Sequence, residues 1–171
     1  MKLLAEISEG TLGLGLGEQL GAEYQLRKSA RAILRNENGE IATQYLSTYT
    51  FHKLPGGGID LGESVEEALR REVREEVGCN CQIDQPIGIV IEYRNKYGLL
   101  HISYCYSAFV DGGVSTPDLE EGEIEGGQET LWLPPAALLT KMSSDVPGKF
   151  EGHFILAREQ AFLQEYINTA P

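Results

Sequence analysis

The chain has 171 residues, of which 42% are hydrophobic and 23% charged, a composition typical of one folded domain with an ordinary core. Its formal net charge of −12 argues against binding to bulk nucleic acid, because a phosphate backbone demands a basic surface. No apolar run approaches the roughly 20 residues of a membrane span, and Glu6 and Glu9 argue against a signal peptide, so we expect a cytoplasmic protein.

The N-terminal segment, residues 1–23, is predicted to be an extension or a hairpin ahead of the main domain. It contains a glycine-rich stretch from Gly13 to Gly17. This stretch lacks the Lys-Ser/Thr pair of a P-loop and does not follow a strong strand pattern. We interpret it as a terminal turn that covers a sheet edge or meets a second subunit.

Residues 24–35 and 40–47 are predicted to form a hairpin, because the intervening Asn-Glu-Asn-Gly segment favours a tight turn. The first strand carries four basic residues: Arg27, Lys28, Arg31 and Arg35. Alternation along the strand would place some of them on one face, where they can hold phosphates. The alternative is a solvated strand face, and Arg27 is the first candidate to test.

A capped helix is predicted from Val65 to Val77. Ser64 and Glu67 have the spacing of a capping box, and Gly78 suits a left-handed C-cap. The apolar positions between these ends recur every four residues and predict one buried stripe: Val65, Leu69, Val73 and Val77.

Glu72, Glu75 and Glu76 share one face of this helix, where like charges repel by a few tenths of a kcal/mol per pair. Either Arg71 or one or two hard divalent cations would compensate that repulsion. The helix follows Leu-Pro-Gly-Gly-Gly at residues 54–58, a backbone that can turn sharply and approach a ligand closely. Loop and helix together predict a pocket with backbone groups on one side and metal ligands on the other.

The remaining segments alternate between strands and helices. Residues 87–93 and 99–110 read as a second strand pair, and residues 118–129 read as a flexible acidic loop. A short strand around Trp132, a helix over 136–141 after Pro134-Pro135, and a final amphipathic helix over 154–166 follow. The three cysteines cannot all pair, and we interpret them as reduced packing residues.

Residues 57–79 resemble the Nudix box, G-x5-E-x7-R-E-U-x-E-E-x-G-U, where U is a large apolar residue. The matching residues are Gly57, Glu63, Arg71, Glu72, Glu75, Glu76 and Gly78, and Cys79 stands where Ile, Leu or Val is usual. The resemblance implies a single-domain α/β protein, a Nudix-type α/β/α sandwich with a mixed sheet. It implies a Nudix core over residues 24–142 and a C-terminal helix within residues 143–171 that packs on this core.

The resemblance also implies roles for individual residues. The metal ligands would be Glu72, Glu75 and Glu76, with the carbonyl of Gly56 or Gly57 as a further ligand and Arg71 as the residue that orients the glutamates. The general base would be Glu72, Glu75 or a glutamate of the acidic loop, where Glu125 is the first choice and Glu120, Glu121 and Glu123 stay open. The predicted substrate-binding residues are Arg27, His52, Gly57, Glu63 and Tyr97.

The expected activity is Mg²⁺- or Mn²⁺-dependent hydrolysis of a phosphoanhydride in a nucleoside diphosphate-linked compound, with a nucleoside triphosphate as the first choice. The alternatives are a dinucleoside polyphosphate, which Tyr97 favours because a Tyr at this distance from the box marks some such hydrolases, and an ADP-sugar. A further alternative is a Nudix-fold module that binds a nucleotide without hydrolysing it. We expect a small-molecule partner, no membrane, and a homodimer as is common in the family.

Overall fold

A computed structural model of the protein describes residues 1–15 and 23–169. Residues 16–22, with Leu16 and Gly17 of the predicted glycine-rich turn, lie outside the described residues. The strands are β1 (Leu3–Ser8), β2 (Gln25–Arg35), β3 (Ile41–Leu46), β4 (Phe51–Lys53), β5 (Asn80–Arg94), β6 (Leu99–Asp111) and β7 (Gln128–Leu133). The helices are α1 (Val65–Val77), α2 (Glu121–Glu125), α3 (Pro135–Ser144) and α4 (Phe150–Thr169), and a 3-10 turn spans Asn95–Tyr97.

The strands form one mixed sheet in the order β1-β5-β6-β2-β3-β4, and β7 pairs with β3. β1 runs parallel to β5 and β2 runs parallel to β6, while the other pairs are antiparallel. The described part of the N-terminal segment therefore contributes a single strand to the sheet edge, followed by a turn. The β2–β3 hairpin turns at residues 36–40, as predicted.

The glycine-rich loop runs beside β2 in the position of a neighbouring strand. The amides of Ala30 and Ala32 donate to the carbonyls of Gly57 (3.0 Å) and Pro55 (2.9 Å). Gly56 has φ +134°, and a Cβ there would lie 2.1 Å from the carbonyl oxygen of Ala30. Only glycine fits so close to β2, so the loop is fixed between this strand and α1.

Helices cover both faces of the sheet. One core cluster joins α1 to β2 through residues that include Leu69, Val73 and Ala32. The other joins α3 and α4 to the opposite face through residues that include Ile33 and Phe154. The α/β/α sandwich with a mixed sheet is confirmed.

The boundaries of α1 agree with those predicted from its caps. The Ser64 hydroxyl accepts from the amide of Glu67 (3.2 Å), the Glu67 carboxylate accepts from the amide of Ser64 (2.8 Å), and Gly78 has φ +77°. By contrast, β5 begins at Asn80 rather than near Ile87, because irregular pairing at residues 83–88 breaks the alternation that marks a strand.

The acidic segment differs from expectation, whereas the cysteines agree with it. The acidic loop predicted to be flexible contains α2, whose first turn is held by the amide of Glu120 donating to the Glu123 carboxylate (2.9 Å). Cys79, Cys81 and Cys105 are free and buried, as predicted. Within the two described ranges, every helix is too short or too polar to span a membrane.

Candidate active site

A charged cleft with a volume of about 280 Å³ lies between the glycine-rich loop, α1, β2, β4 and α2. Its size is close to the lower limit for small-molecule sites. Both signs of charge line it, together with the backbone of the loop. The lining residues are Arg27, Arg31, Lys53, Gly56, Gly57, Gly58, Asp60, Arg71, Glu72, Glu75, Glu76, Glu120 and Glu123.

Arg71 connects Glu72 and Glu75 of α1 to the glycine-rich loop through hydrogen bonds. Its Nη1 donates to Glu72 Oε1 (2.9 Å) and Glu75 Oε2 (3.1 Å), while Nε and Nη2 donate to the two oxygens of Glu63, both at 3.0 Å. Nη2 also donates to the carbonyl of Gly58 (2.9 Å). The hydrogen bond from Arg71 lowers the pKa of Glu63, so this carboxylate is ionised and keeps the guanidinium in place. Glu63 therefore contacts Arg71 rather than the cleft.

Glu76 is buried at the base of the cleft, with 1% of its surface exposed. Its carboxylate accepts from Lys53 Nζ and from the amide of Gly56, both at 2.6 Å. Burial alone would raise the pKa of Glu76, but the charge of Lys53, hydrogen bonds from Glu123 and Lys53, and the charge of Arg31 lower it below the ordinary value. Glu76 is therefore ionised at neutral pH.

Glu72 lies one turn before Glu76 and is also largely buried, with 9% exposed. Burial first, and then the charge of Glu76, raises the pKa of Glu72, although Arg71 opposes the shift. A Cβ on Gly57 would lie 2.2 Å from Glu72 Oε1, so the loop leaves room for this carboxylate only because residue 57 is glycine.

These carboxylates fit a hard divalent cation, which prefers oxygen ligands and would relieve the repulsion that raises the pKa of Glu72. In the described part of the chain, however, no three acidic, histidine or cysteine side chains already converge as a metal site. Arg71 and Lys53 hold the glutamate oxygens instead. Among the loop carbonyls, that of Gly57 accepts from Ala30, which leaves that of Gly56 as the freer one.

In the acidic segment, Glu123 lines the cleft and Glu125 does not. Glu123 shares a hydrogen bond with Glu76, and its Oε1 lies 3.9 Å from Lys53 Nζ. Burial, the hydrogen bond to Glu76 and the charge of Glu76 raise the pKa of Glu123 to about 7. Glu125 is exposed, and its carbonyl accepts from Thr48. Contrary to expectation, Glu125 thus lies outside the cleft, whereas Glu120 lines it and Glu123 reaches it because the first turn of α2 directs residue 123 towards α1.

His52 lies outside the cleft, contrary to expectation. Its Nδ1 and its amide both lie 2.8 Å from Asp145 Oδ2, and its ring centroid is 4.7 Å from that of Tyr45. Successive strand residues point to opposite faces, so Lys53 of β4 faces the cleft and His52 faces away.

Tyr97 also lies away from the cleft. Its ring packs edge-on against Phe150 with centroids 5.8 Å apart, and its hydroxyl donates to Glu151. The turn between β5 and β6 therefore docks on the start of α4. Of the predicted substrate residues, Arg27 and Gly57 are those that line the cleft.

A family model described as the NUDIX domain matches residues 25–151. An 8-oxo-dGTP diphosphatase of Haemophilus influenzae is 47% identical over 116 residues, covering 64% of this chain and 76% of that protein. An RNA pyrophosphohydrolase of Acinetobacter baylyi is 42% identical over 52 residues, covering 30% of this chain and 31% of that protein.

Solved structures share the fold. The MutT protein of Methanosarcina mazei Go1 has a TM-score of 0.57 at 23% identity, with 84% of this chain and 96% of that chain covered. A NUDIX hydrolase from Nitrosomonas europaea has a TM-score of 0.61 at 18% identity, with 84% and 90% covered.

Proposed function

The chain belongs to the Nudix hydrolase family, whose pyrophosphohydrolases generally use divalent cations, and we propose that it hydrolyses nucleoside triphosphates with release of pyrophosphate. The observation that carries this proposal is the buried pair Glu72 and Glu76 beside the glycine-rich loop. These two neighbouring buried carboxylates would hold a divalent cation, which would in turn bind and neutralise a polyphosphate.

The relatives' names support a triphosphate substrate. The Haemophilus influenzae and Escherichia coli relatives are called 8-oxo-dGTP diphosphatases, at 47% and 44% identity. RNA pyrophosphohydrolases are also among the relatives, but the net charge of −12 argues against a long RNA partner. The dinucleoside polyphosphate alternative loses its main support, because Tyr97 lies outside the cleft.

We assign the cation, Mg²⁺ by preference, to Glu72, Glu75 and Glu76, with the Gly56 carbonyl as a further ligand. When bound, such a cation neutralises charge on the phosphates and lowers the pKa of water. Arg71 fixes the directions of Glu72 and Glu75. Glu76 stays ionised through its contacts with Lys53 and the Gly56 amide, so this ligand is charged before the substrate arrives.

Glu123 is the proposed general base. Its carboxylate lines the cleft next to Glu76, where a base must lie to reach the attacking water. Glu72 and Glu75 are weaker candidates, since each already accepts a hydrogen bond from Arg71. Arg27, exposed at the cleft on β2, is placed to contact the outer phosphates of the substrate.

The test is phosphate release, with a coupling pyrophosphatase for nucleoside triphosphates and with a coupling phosphatase for dinucleoside polyphosphates and ADP-sugars, whose products are phosphate monoesters. We expect turnover of a triphosphate in Mg²⁺ and silence in Ca²⁺, which binds hard oxygen sites but generally fails to support this chemistry. Turnover confined to dinucleoside polyphosphates or ADP-sugars would contradict the substrate assignment. Nucleotide binding without any turnover would favour a binding module.

A further inference from the structure

Arg31 is a buried arginine whose donors are incompletely used. It lies on β2, lines the cleft and has 6% of its surface exposed. Among the described residues, its Nε and Nη1 have no hydrogen-bond partner. The nearest carboxylate oxygen in an ion pair with it, Glu159 Oε1, lies 3.8 Å from Nε, beyond hydrogen-bond length. Buried charged groups are normally paired and hydrogen-bonded, so these free donors require an explanation.

The buried charges behind Arg31 do not satisfy it. Glu92 accepts from Arg94 Nε (2.6 Å) and from Arg158 Nη1 (2.8 Å), and Arg158 also donates to Glu159. Glu92 and Glu159 Oε1 are thus already bonded to other guanidinium groups, while Glu159 Oε2, like the Arg31 donors, has no hydrogen-bond partner among the residues that the structure describes.

The neighbouring His101 adds no negative charge that could balance Arg31. Its Nε2 lies 3.0 Å from the hydroxyl of Ser29, and burial lowers its pKa to about 4, so the ring is neutral at pH 7. Three guanidinium groups therefore share two carboxylates, and one positive charge is left over at the cleft: the guanidinium groups are those of Arg31, Arg94 and Arg158, and the carboxylates are those of Glu92 and Glu159.

Burial and the charge of Arg158 lower the pKa of Arg31, and on the cleft side the charges of Glu76 and Glu72 oppose this shift. Neither carboxylate accepts a hydrogen bond from Arg31, because Glu72 is held by Arg71 and Glu76 by Lys53 and Gly56. Arg31 thus lies in the wall of the cleft, next to the glutamates that we assign to the cation, and donates no hydrogen bond to them.

From this geometry we infer that the Arg31 guanidinium, which lines the cleft, donates to the phosphate group of the substrate that lies deepest in it. The inference rests on the proposed function and adds a specific phosphate ligand to it. A guanidinium matches two phosphate oxygens with two parallel hydrogen bonds, which a lysine cannot reproduce. Glu159 is a positioning residue, since its charge holds Arg31 without occupying the free donors.

The competing explanation is that Arg31 only balances the charge of Glu72 and Glu76. The two explanations predict opposite effects on binding. If Arg31 is a phosphate ligand, its removal weakens binding of a polyphosphate but not of the cation. If Arg31 is only a counter-charge, its removal strengthens binding of the cation and leaves polyphosphate binding equal or tighter.

The experiment uses Arg31→Lys and Arg31→Met in the full chain, with thermal melts to confirm folding. Calorimetry measures the Kd of Ca²⁺ alone, and then the Kd of inorganic pyrophosphate and of methylene-bridged ATP and GTP in Mg²⁺. The control is Arg35→Met, because Arg35 lies on the same strand and face but stacks 4.3 Å from the ring centre of Phe109, away from the cleft. Arg31→Lys keeps the charge, so it serves even if Arg31→Met fails to fold.

We expect Arg31→Lys to weaken binding of the polyphosphates roughly 10- to 100-fold, as for a lost hydrogen bond to a charged group, with Ca²⁺ binding unchanged or tighter. The KM should rise, and kcat at saturating substrate should fall by a smaller factor. Unchanged polyphosphate binding in Arg31→Lys, while the wild-type protein still hydrolyses nucleotides, would overturn the inference alone. Arg31-dependent pyrophosphate binding without turnover of any nucleotide would overturn the proposed function alone. Absence of polyphosphate binding to the wild type would overturn both.

Discussion

Replacing Lys53 with methionine removes the cation that keeps the buried Glu76 ionised. Lys53 Nζ lies 2.6 Å from Glu76 Oε1, and the two side chains are 14% and 1% exposed. Breaking a buried ion pair by removing one partner typically costs about 3–5 kcal/mol, because the remaining charge is uncompensated. We expect Lys53→Met to lose about this much free energy of unfolding at pH 7 without divalent cations.

The loss of unfolding free energy in Lys53→Met should grow as the pH rises. In the wild type the pKa of Glu76 is lowered, so its ionised form adds stability above the unfolded-state pKa of about 4.3, and this stability is lost as the pH falls through the folded-state value. Without Lys53, burial dominates and the pKa of Glu76 rises above its unfolded value. The mutant then loses stability as the pH rises from about 4 to 7, and the difference from wild type widens.

The assay is urea unfolding in EDTA at pH 4 to 7.5, followed by circular dichroism. Lys28→Met is the matched control, because Lys28 is an exposed lysine on β2. Adding Mg²⁺ should restore more stability to Lys53→Met than to wild type, since the cation replaces the missing charge. A loss that is the same at pH 4.5 and pH 7.5 would refute the view that Lys53 stabilises ionised Glu76.

Three further substitutions test the site and its scaffold. Gly57→Ala places a Cβ 2.2 Å from Glu72 Oε1, so kcat in saturating Mg²⁺ should fall at least about tenfold while the melting temperature changes little; an unchanged kcat would contradict this. Glu123→Gln should lower kcat/KM by about 10²- to 10⁴-fold and remove the acid limb of the pH–rate profile, whereas Glu125→Gln should leave the profile intact; equal effects of the two would exclude Glu123 as the base. Ser64→Ala should lower the free energy of unfolding in urea by about 1 kcal/mol with kcat preserved, and an unchanged free energy would contradict a stabilising role for this N-cap.

Local signals in the sequence were sufficient to predict α1 and its glutamates. The cap at Ser64, the apolar stripe and the C-cap at Gly78 all lie within one short segment, and each specifies the same helix. The three aligned glutamates follow from helical spacing alone.

The partners of those glutamates could not be predicted in the same way, because they come from distant parts of the chain. Lys53 lies on β4 and not on the helix that carries Glu76. Arg31 lies on β2 and forms an ion pair with Glu159 of α4. The alternation of β4 turns Lys53 rather than His52 towards the cleft. The short helix that directs Glu123 into the cleft was concealed by a glycine-rich, acidic composition typical of loops.

The central claim is that the glutamates of α1 catalyse metal-dependent hydrolysis. Its most direct test is pyrophosphate release from nucleoside triphosphates in Mg²⁺ by the wild type and Glu76→Gln, with Glu66→Gln as control, because Glu66 is an exposed glutamate of the same helix. We predict that Glu76→Gln lowers turnover about 100-fold or more with the circular dichroism spectrum unchanged, while Glu66→Gln retains full activity. Near-full turnover by a folded Glu76→Gln protein would contradict the claim.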